Sequence, residues 1–155
     1  MEYEKSLSRL QRLCSRAEYC SRDIYRKALK DLEGDAEGAS RLLASLVKDR
    51  YVDDARYSAA FAREKAALQG WGPVKIRFQL RAKAIPDAVI DAALEEVDAS
   101  VSASKLERLV ASRARQLEGD PQRRLKLLKF ALSRGFSYEQ AEAAVSAAIR
   151  QENEA

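Results

Sequence analysis

An all-α chain made of three tandem three-helix repeats is what the sequence predicts, and three observations predict it. A shift of 51 residues in either direction from the stretch 51–97 returns the same apolar pattern. Within that pattern the third helix of each unit has small or apolar residues at every aligned place: Ala39, Leu42, Leu43 and Leu46; Ile90, Ala93, Leu94 and Val97; Ala141, Ala144, Val145 and Ala148. Composition favours helix throughout, since 46% of the 155 residues are hydrophobic, 34% are charged, and there are only three prolines and six glycines. Each unit of such an array contacts only its neighbours, so the expected product is an elongated, curved, solenoid-like arc. Its repeats span 1–50, 51–98 and 99–151, followed by a disordered tail at 152–155.

The elements follow in order. The first helix runs from Met1 to about Ala17, with Leu7, Leu10, Leu13 and Cys14 on one side and Arg9, Arg12 and Arg16 on the other. Ser21 reads as the cap of the second helix, where Asp23 suits the positive end of the dipole. That helix carries Arg22, Arg26, Lys27 and Lys30. The turn from Glu33 to Gly38 leads into a third helix ending near Asp49, with Gly38 a mild cost inside it. In the central unit Asp53 or Asp54 caps a helix whose apolar face carries Tyr57, Ala60, Phe61 and Leu68, and Gly70 ends it. Pro73 opens a helix that buries Ile76 and Leu80 and turns Lys75, Arg77, Arg81 and Lys83 outward. Trp71, just before it, reads as a staple against the preceding helix, with stacking on a nucleobase as the alternative. Pro86 opens the next helix, packed through Ile90, Ala93, Leu94 and Val97. At the same shift Tyr25, Ile76 and Leu127 fall together, as do Leu29, Leu80 and Ala131. The polar run from Asp98 to Ser104 reads as a hinge, with one of its serines capping a helix that reaches Glu118. Asp120 and Pro121 cap and open the helix of Arg123, Arg124, Lys126, Lys129 and Arg134; Gly135 ends it, and a last helix runs from Ser137 to about Gln151.

Charge is patterned more strongly than the net +4 suggests. Residues 71–86 hold four cations and no anion, and 87–102 hold five anions and no cation. Residues 103–136 hold nine cations against three anions, and 137–155 reverse to one against four. Dipole complementation accounts for Asp87, Glu139 and Arg134, whereas Lys75, Arg77, Arg123 and Arg124 sit in opening turns where cations are mildly unfavourable. The pattern therefore points to a basic stripe on the second helices facing phosphate or an acidic protein surface: Arg26, Lys27, Lys30, Lys75, Arg77, Arg81, Lys83, Arg123, Arg124, Lys126, Lys129 and Arg134. Asp91, Glu95 and Glu96 form a possible acidic protein-contact face.

Catalysis is not expected. Histidine, the commonest acid–base group near neutral pH, is absent, and the carboxylate pairs Asp53–Asp54 and Glu95–Glu96 are adjacent residues that point apart on a helix. Cys14 and Cys20 lie six apart, which is not a zinc-ligand spacing, so no metal or other cofactor is expected. No apolar run is long enough to span a bilayer, and the acidic start lacks the features of a signal peptide, so a cytoplasmic, monomeric protein with no small-molecule substrate is expected.

The residues Tyr51-Val-Asp-Asp-Ala-Arg-Tyr57 with Phe61, and the run from Trp71-Gly-Pro-Val-Lys-Ile through Leu80 to Ile85-Pro86, resemble motifs of the RecX family of bacterial recombination regulators. A third similar stretch is Lys129-Phe-Ala-Leu-Ser-Arg-Gly-Phe-Ser-Tyr-Glu139. Ala84 stands where the family usually has glycine and Ser58 where it usually has alanine. The resemblance implies binding to the RecA recombinase filament on single-stranded DNA, along its groove. It also implies inhibition of RecA ATPase, strand exchange and coprotease activity in recombination, DNA repair and the SOS response. A sequence-independent DNA-binding helical-repeat protein and a helical adaptor for another protein are the alternative readings.

Overall fold

A computed structural model of the chain describes residues 1–154. Among the described residues the order is α1 (Tyr3–Arg16), α2 (Ser21–Asp31), α3 (Ala36–Lys48), α4 (Asp54–Gln69), α5 (Pro73–Ala82), α6 (Asp87–Glu95), α7 (Ala99–Gln116), α8 (Arg123–Ser133) and α9 (Tyr138–Glu154), with no strand. The fold is all-α, as the sequence predicts. Two compact units divide the chain: Met1–Ala60 with Leu80–Ala93, and Phe61–Gln79 with everything from Leu94 onward.

In the first unit, Leu10, Ile24, Ala28, Ala39, Leu42, Leu46 and Val52 form the core. The buried pair on α2 is Ile24 and Ala28, one position before the expected Tyr25 and Leu29, which are only half-buried. Ser21 does not cap α2. Its own backbone N–H is instead received by the Asp54 carboxylate at 2.7 Å, while Asp53 caps α4 by accepting from the Arg56 N–H at 3.1 Å. Adjacent carboxylates thus serve two different helices, because neighbouring positions point apart. Arg56 completes the clasp, donating to the carbonyls of Arg50 and Tyr51 and to the Glu18 carboxylate. Gly38 lies close to the cap of α3: a Cβ there would lie 2.5 Å from an Asp35 carboxylate oxygen, and the Gly38 N–H donates to Asp35 at 3.0 Å.

Asp31 at the end of α2 ties α1 to it, accepting from Ser6 Oγ at 2.7 Å and from Arg9 at 2.7 and 3.0 Å. Burial alone would raise the carboxyl pKa, but the hydrogen bonds from Ser6 and Arg9 and the guanidinium charge outweigh it and hold the value below normal. A lowered carboxyl pKa stabilises the fold above the unfolded-state value and loses that contribution as the pH falls through the folded-state value. The native chain should therefore exceed Asp31→Asn in stability by about 1–2 kcal/mol above about pH 4, with the gap closing as the pH is lowered further. Urea unfolding across that range measures it, and a gap independent of pH would show that the carboxylate charge contributes nothing.

Ala84 adopts φ +61, the left-handed conformation that favours glycine, as does Gly135 at the matching turn after α8 with φ +93. Ala84→Gly should stabilise the chain by up to about 1 kcal/mol, the relief of left-handed strain less the added entropy of an unfolded glycine. An unchanged or lower thermal midpoint would count against that strain.

In the second unit the core is Leu106, Val110, Ala114, Leu127, Ala131, Phe136, Ala141, Ala144, Val145 and Ala148. The expected hinge at 98–104 is helical from Ala99: Asp98 caps α7 by accepting from the Ser100 N–H at 2.9 Å and Ser100 Oγ at 2.7 Å. Ser102 is buried and donates to the Trp71 carbonyl at 3.1 Å. Residues 121 and 122 precede α8 as a turn, in which Asp120 accepts from the Gln122 N–H at 2.8 Å. At the start of α9, Ser137 and Gln140 form a reciprocal capping box, with distances of 3.2 and 3.1 Å. The helix continues to Glu154, so most of the segment expected as a tail is helical, and Glu152 is held by Arg123; Ala155 lies outside the described residues.

Burial follows the repeat best in the third helices, where Ala39, Ile90 and Ala141 are all fully buried and Leu42, Ala93 and Ala144 nearly so. Leu43, Leu94 and Val145 are not equivalent: Val145 is buried, the other two half-buried. The largest departure is α4, whose buried face is Ser58, Ala62 and Ala66, while Tyr57, Ala60 and Phe61 are half-buried and Leu68 is 66% exposed. Small side chains permit close helix approach, and the larger ones are displaced to the edges. Each first helix buries one serine in its opening turns, Ser6, Ser58 and Ser102, followed four residues later by buried Leu10, Ala62 and Leu106. Ser58 Oγ has no hydrogen-bond partner, the one buried hydroxyl so placed among the described residues.

Candidate partner-binding surface

The middle of the chain is organised by a contact between two glycines. The N–H of Gly72 donates to the Arg134 carbonyl at 2.7 Å, and that of Val74 to the Gly135 carbonyl at 3.0 Å, so the opening turn of α5 supplies donors to the carbonyl end of α8. Both groups of atoms would otherwise be unsatisfied helix ends. A Cβ on Gly72 would lie 2.4 Å from the Gly135 carbonyl oxygen, and one on Gly135 would lie 2.2 Å from the Lys75 Cβ. Lys75 is consequently drawn against this junction rather than outward: its ammonium donates to the Ser133 carbonyl at 3.3 Å and lies 4.6 Å from the centre of the Trp71 ring. Trp71 meets Phe61 edge-on at 6.1 Å, the staple against the preceding helix that the sequence predicts. The sequence signal for this junction was the pair of glycines in two separate motifs, but nothing in the chain marks them as mutual partners.

Many of the other cations also have intrachain partners. Arg81 grips Asp87 with two bonds of 2.8 and 3.2 Å, and this hydrogen bonding raises its already high pKa. Lys83 pairs with Asp23 at 2.7 Å. Arg123 donates twice to the Ala114 carbonyl and pairs with Glu152; Arg124 pairs with Glu142 and donates to Ser146. Lys126 pairs with Asp120 and, by hydrogen bonding, holds that carboxyl below its ordinary pKa. Arg134 lies 5.4 Å from the Phe130 ring, which Arg113 also approaches at 4.6 Å, and its Nε is buried without a partner. Lys27 lies over Tyr19, and Arg77 is half-buried. These surface pairs contribute little individually, and a phosphate could replace many of the carboxylates.

Arg26, Lys30 and Lys129 differ. All three are exposed and have no ion-pair partner among the described residues. Counted from the buried anchors Ile24, Ile76 and Leu127, the position two residues further on is exposed in every second helix and holds Arg26, Phe78 and Lys129. Phe78 is 69% exposed and Val74, one turn earlier, 60%. Phe78 is not among the residues that the charge pattern assigns to this face; its signal in the sequence is an aromatic at the outward position of a basic helix. On the acidic side Asp91, Glu95 and Glu96 are exposed, and Glu96 pairs with Arg63 at 3.2 Å.

Both thiols are free; burial raises the pKa of Cys14 and of Cys20, and Cys14 is half-exposed. Burial also pushes the Tyr57 phenol up to about 12. No group of three or more metal-ligating side chains and no helix long and apolar enough to cross a membrane occurs among the described residues.

The chain is similar to known proteins over most of its length. The family model described as RecX, second three-helix domain, matches residues 53–94. A regulatory protein RecX from Halorhodospira halophila is 31% identical over 140 residues, covering 88% of this chain and 84% of the relative. A crystal structure of a regulatory protein RecX superposes with a TM-score of 0.80 at 28% identity, over 90% of this chain and 70% of that one. The crystal structure of RecX from Lactobacillus salivarius, at 19% identity, shares the fold with a TM-score of 0.79 over 94% of this chain and 96% of that one.

Proposed function

This chain belongs to the RecX family of regulatory proteins, and from that premise we propose that it binds the RecA filament on single-stranded DNA and restrains RecA's ATPase, strand exchange and coprotease activity. It acts by binding in the filament groove, without a catalytic centre of its own. The observation that carries the geometric side of this reading is the shared outward register position of the second helices, with Arg26 and Lys129 as exposed cations and Phe78 as an exposed ring. Cations suit phosphates, and an exposed aromatic suits a base or an apolar protein patch. The intrachain ion pairs of Arg81, Arg124 and Lys126 favour a contact that exchanges one anion for another, which gives modest affinity for bare DNA and leaves discrimination to the protein part of the filament.

Regulation of this kind needs differential affinity for two filament states. A protein that contacts neighbouring protomers in one state and fits them poorly in the other shifts the filament toward the first. Titrating the chain against bare single-stranded DNA and against a preformed RecA filament, in parallel, tests the reading. Tighter binding to the filament together with ATPase inhibition is expected. Equal affinity for both, without inhibition, would favour the sequence-independent DNA-binding alternative, and binding to neither would remove both.

A further inference from the structure

In the second unit, α5, α6, α7 and α9 enclose an apolar cleft of about 320 Å³. Trp71, Ile76, Leu94 and Val97 line it, and so do the small, exposed residues Ala103 and Ala143. Among the described residues Glu107 is the only charged one in the lining, and no cation contributes to it. Asp98 and Glu139, each next in sequence to a lining residue, are exposed and add negative charge beside it. The cations that reach a wall residue, Lys65 and Lys75, lie over the Trp71 ring at 5.1 and 4.6 Å.

Small-molecule sites combine apolar walls with a few converging polar groups that fix orientation. Here two of them are already engaged: the Ser102 hydroxyl donates to the Trp71 carbonyl, and the Gln140 side-chain oxygen accepts from Ser137. The cleft offers apolar surface and a carboxylate at its edge, which disfavours nucleic acid and suits an apolar side chain with a cation beside it. We infer that this cleft is a docking site for a protein segment carrying a bulky apolar anchor flanked by lysine or arginine. Resting on the reading of a filament-binding regulator, that segment belongs to a RecA protomer. The chain would then engage the filament through two chemically distinct surfaces, cationic second helices and this anionic-edged cleft.

Ala103 and Ala143 are exposed, so a tryptophan at either fills the cleft without entering the core. The test measures binding of the full chain and of Ala143→Trp, Ala103→Trp and Glu107→Lys to a preformed RecA filament and, in parallel, to bare single-stranded DNA, with circular dichroism and thermal melting to verify folding. Either tryptophan variant should weaken filament binding at least about tenfold, the loss expected when a central anchor is excluded. Glu107→Lys should weaken it about threefold, and bare-DNA binding should not fall in any of them. If the unmodified chain fails to bind the filament, the filament reading falls and the assignment of the segment to RecA falls with it. If the unmodified chain binds and both folded tryptophan variants bind equally well, the cleft alone is wrongly assigned. An equal loss toward bare DNA would make the occupant nucleic acid, and a loss of self-association in sedimentation would make it a second copy; either overturns the inference.

Discussion

Gly135→Ala should destabilise the folded chain by about 2–5 kcal/mol, combining a left-handed backbone penalty with the displacement of packed atoms. The added Cβ would lie 2.2 Å from the Lys75 Cβ and 2.6 Å from its backbone nitrogen, so relief requires α5 to move and its hydrogen bond to the Gly135 carbonyl to break. Gly119 provides the control. It has φ +85 but nothing within 4 Å of a Cβ, so Gly119→Ala should lose only the conformational part, about 1–2 kcal/mol. Gly72→Ala should resemble Gly135→Ala, because it strikes the same junction from the other side at 2.4 Å. Urea unfolding of the three variants measures the difference. Equal losses at Gly119 and Gly135 would mean that the two helix ends are not closely docked.

Joint reversal of Arg26, Lys30 and Lys129 to glutamate should leave helicity intact and raise the concentration needed to inhibit RecA ATPase by more than about tenfold, a loss of at least 1.4 kcal/mol. If all three meet phosphates on single-stranded DNA, the log-affinity against log-salt slope should also flatten by about 2. A loss of inhibition with an unchanged slope would assign them to an acidic protein surface instead. Full inhibition by the folded triple variant would mean that these positions are only solvated. Lys75 does not belong in such a set despite its place in the sequence-predicted stripe. Reversing it would place a carboxylate against the Ser133 carbonyl at the negative end of α8, so its effect on folding would obscure any effect on binding.

The third helices were legible because their apolar residues recur at helical spacing with no gap, and Ala39, Ile90 and Ala141 are buried as the pattern requires. In α4 the same reasoning followed the largest side chains, Tyr57, Phe61 and Leu68, whereas the packing selected the smallest, Ser58, Ala62 and Ala66. Hydrophobic size marks a buried face only where helices are far enough apart to admit it. The α2 cap was missed because it comes from Asp54, far along the chain, when Ser21 itself looked suitable. Likewise the stripe was legible as composition but not as surface, since whether Arg124 or Lys126 is paired depends on where Glu142 and Asp120 fall. Arg26, Lys30 and Lys129 could be separated from the rest only after those pairs were located.

The docking of α5 on α8 also constrains the order in which the molecule can be completed during synthesis. Residues 1–60 and 80–93, which make up the first unit, are synthesised before most of the second. Residues 61–79 emerge between those two segments yet belong to the second unit, and the donors of Gly72 and Val74 have no acceptors until Arg134 and Gly135 have been added. A nascent chain stopped before that point therefore exposes an unfinished helix start beside Trp71, Val74 and Phe78. Truncation upstream of Gly135 removes more than the last helices, because it leaves the family motif in the middle of the chain without the partner that gives its glycine a purpose.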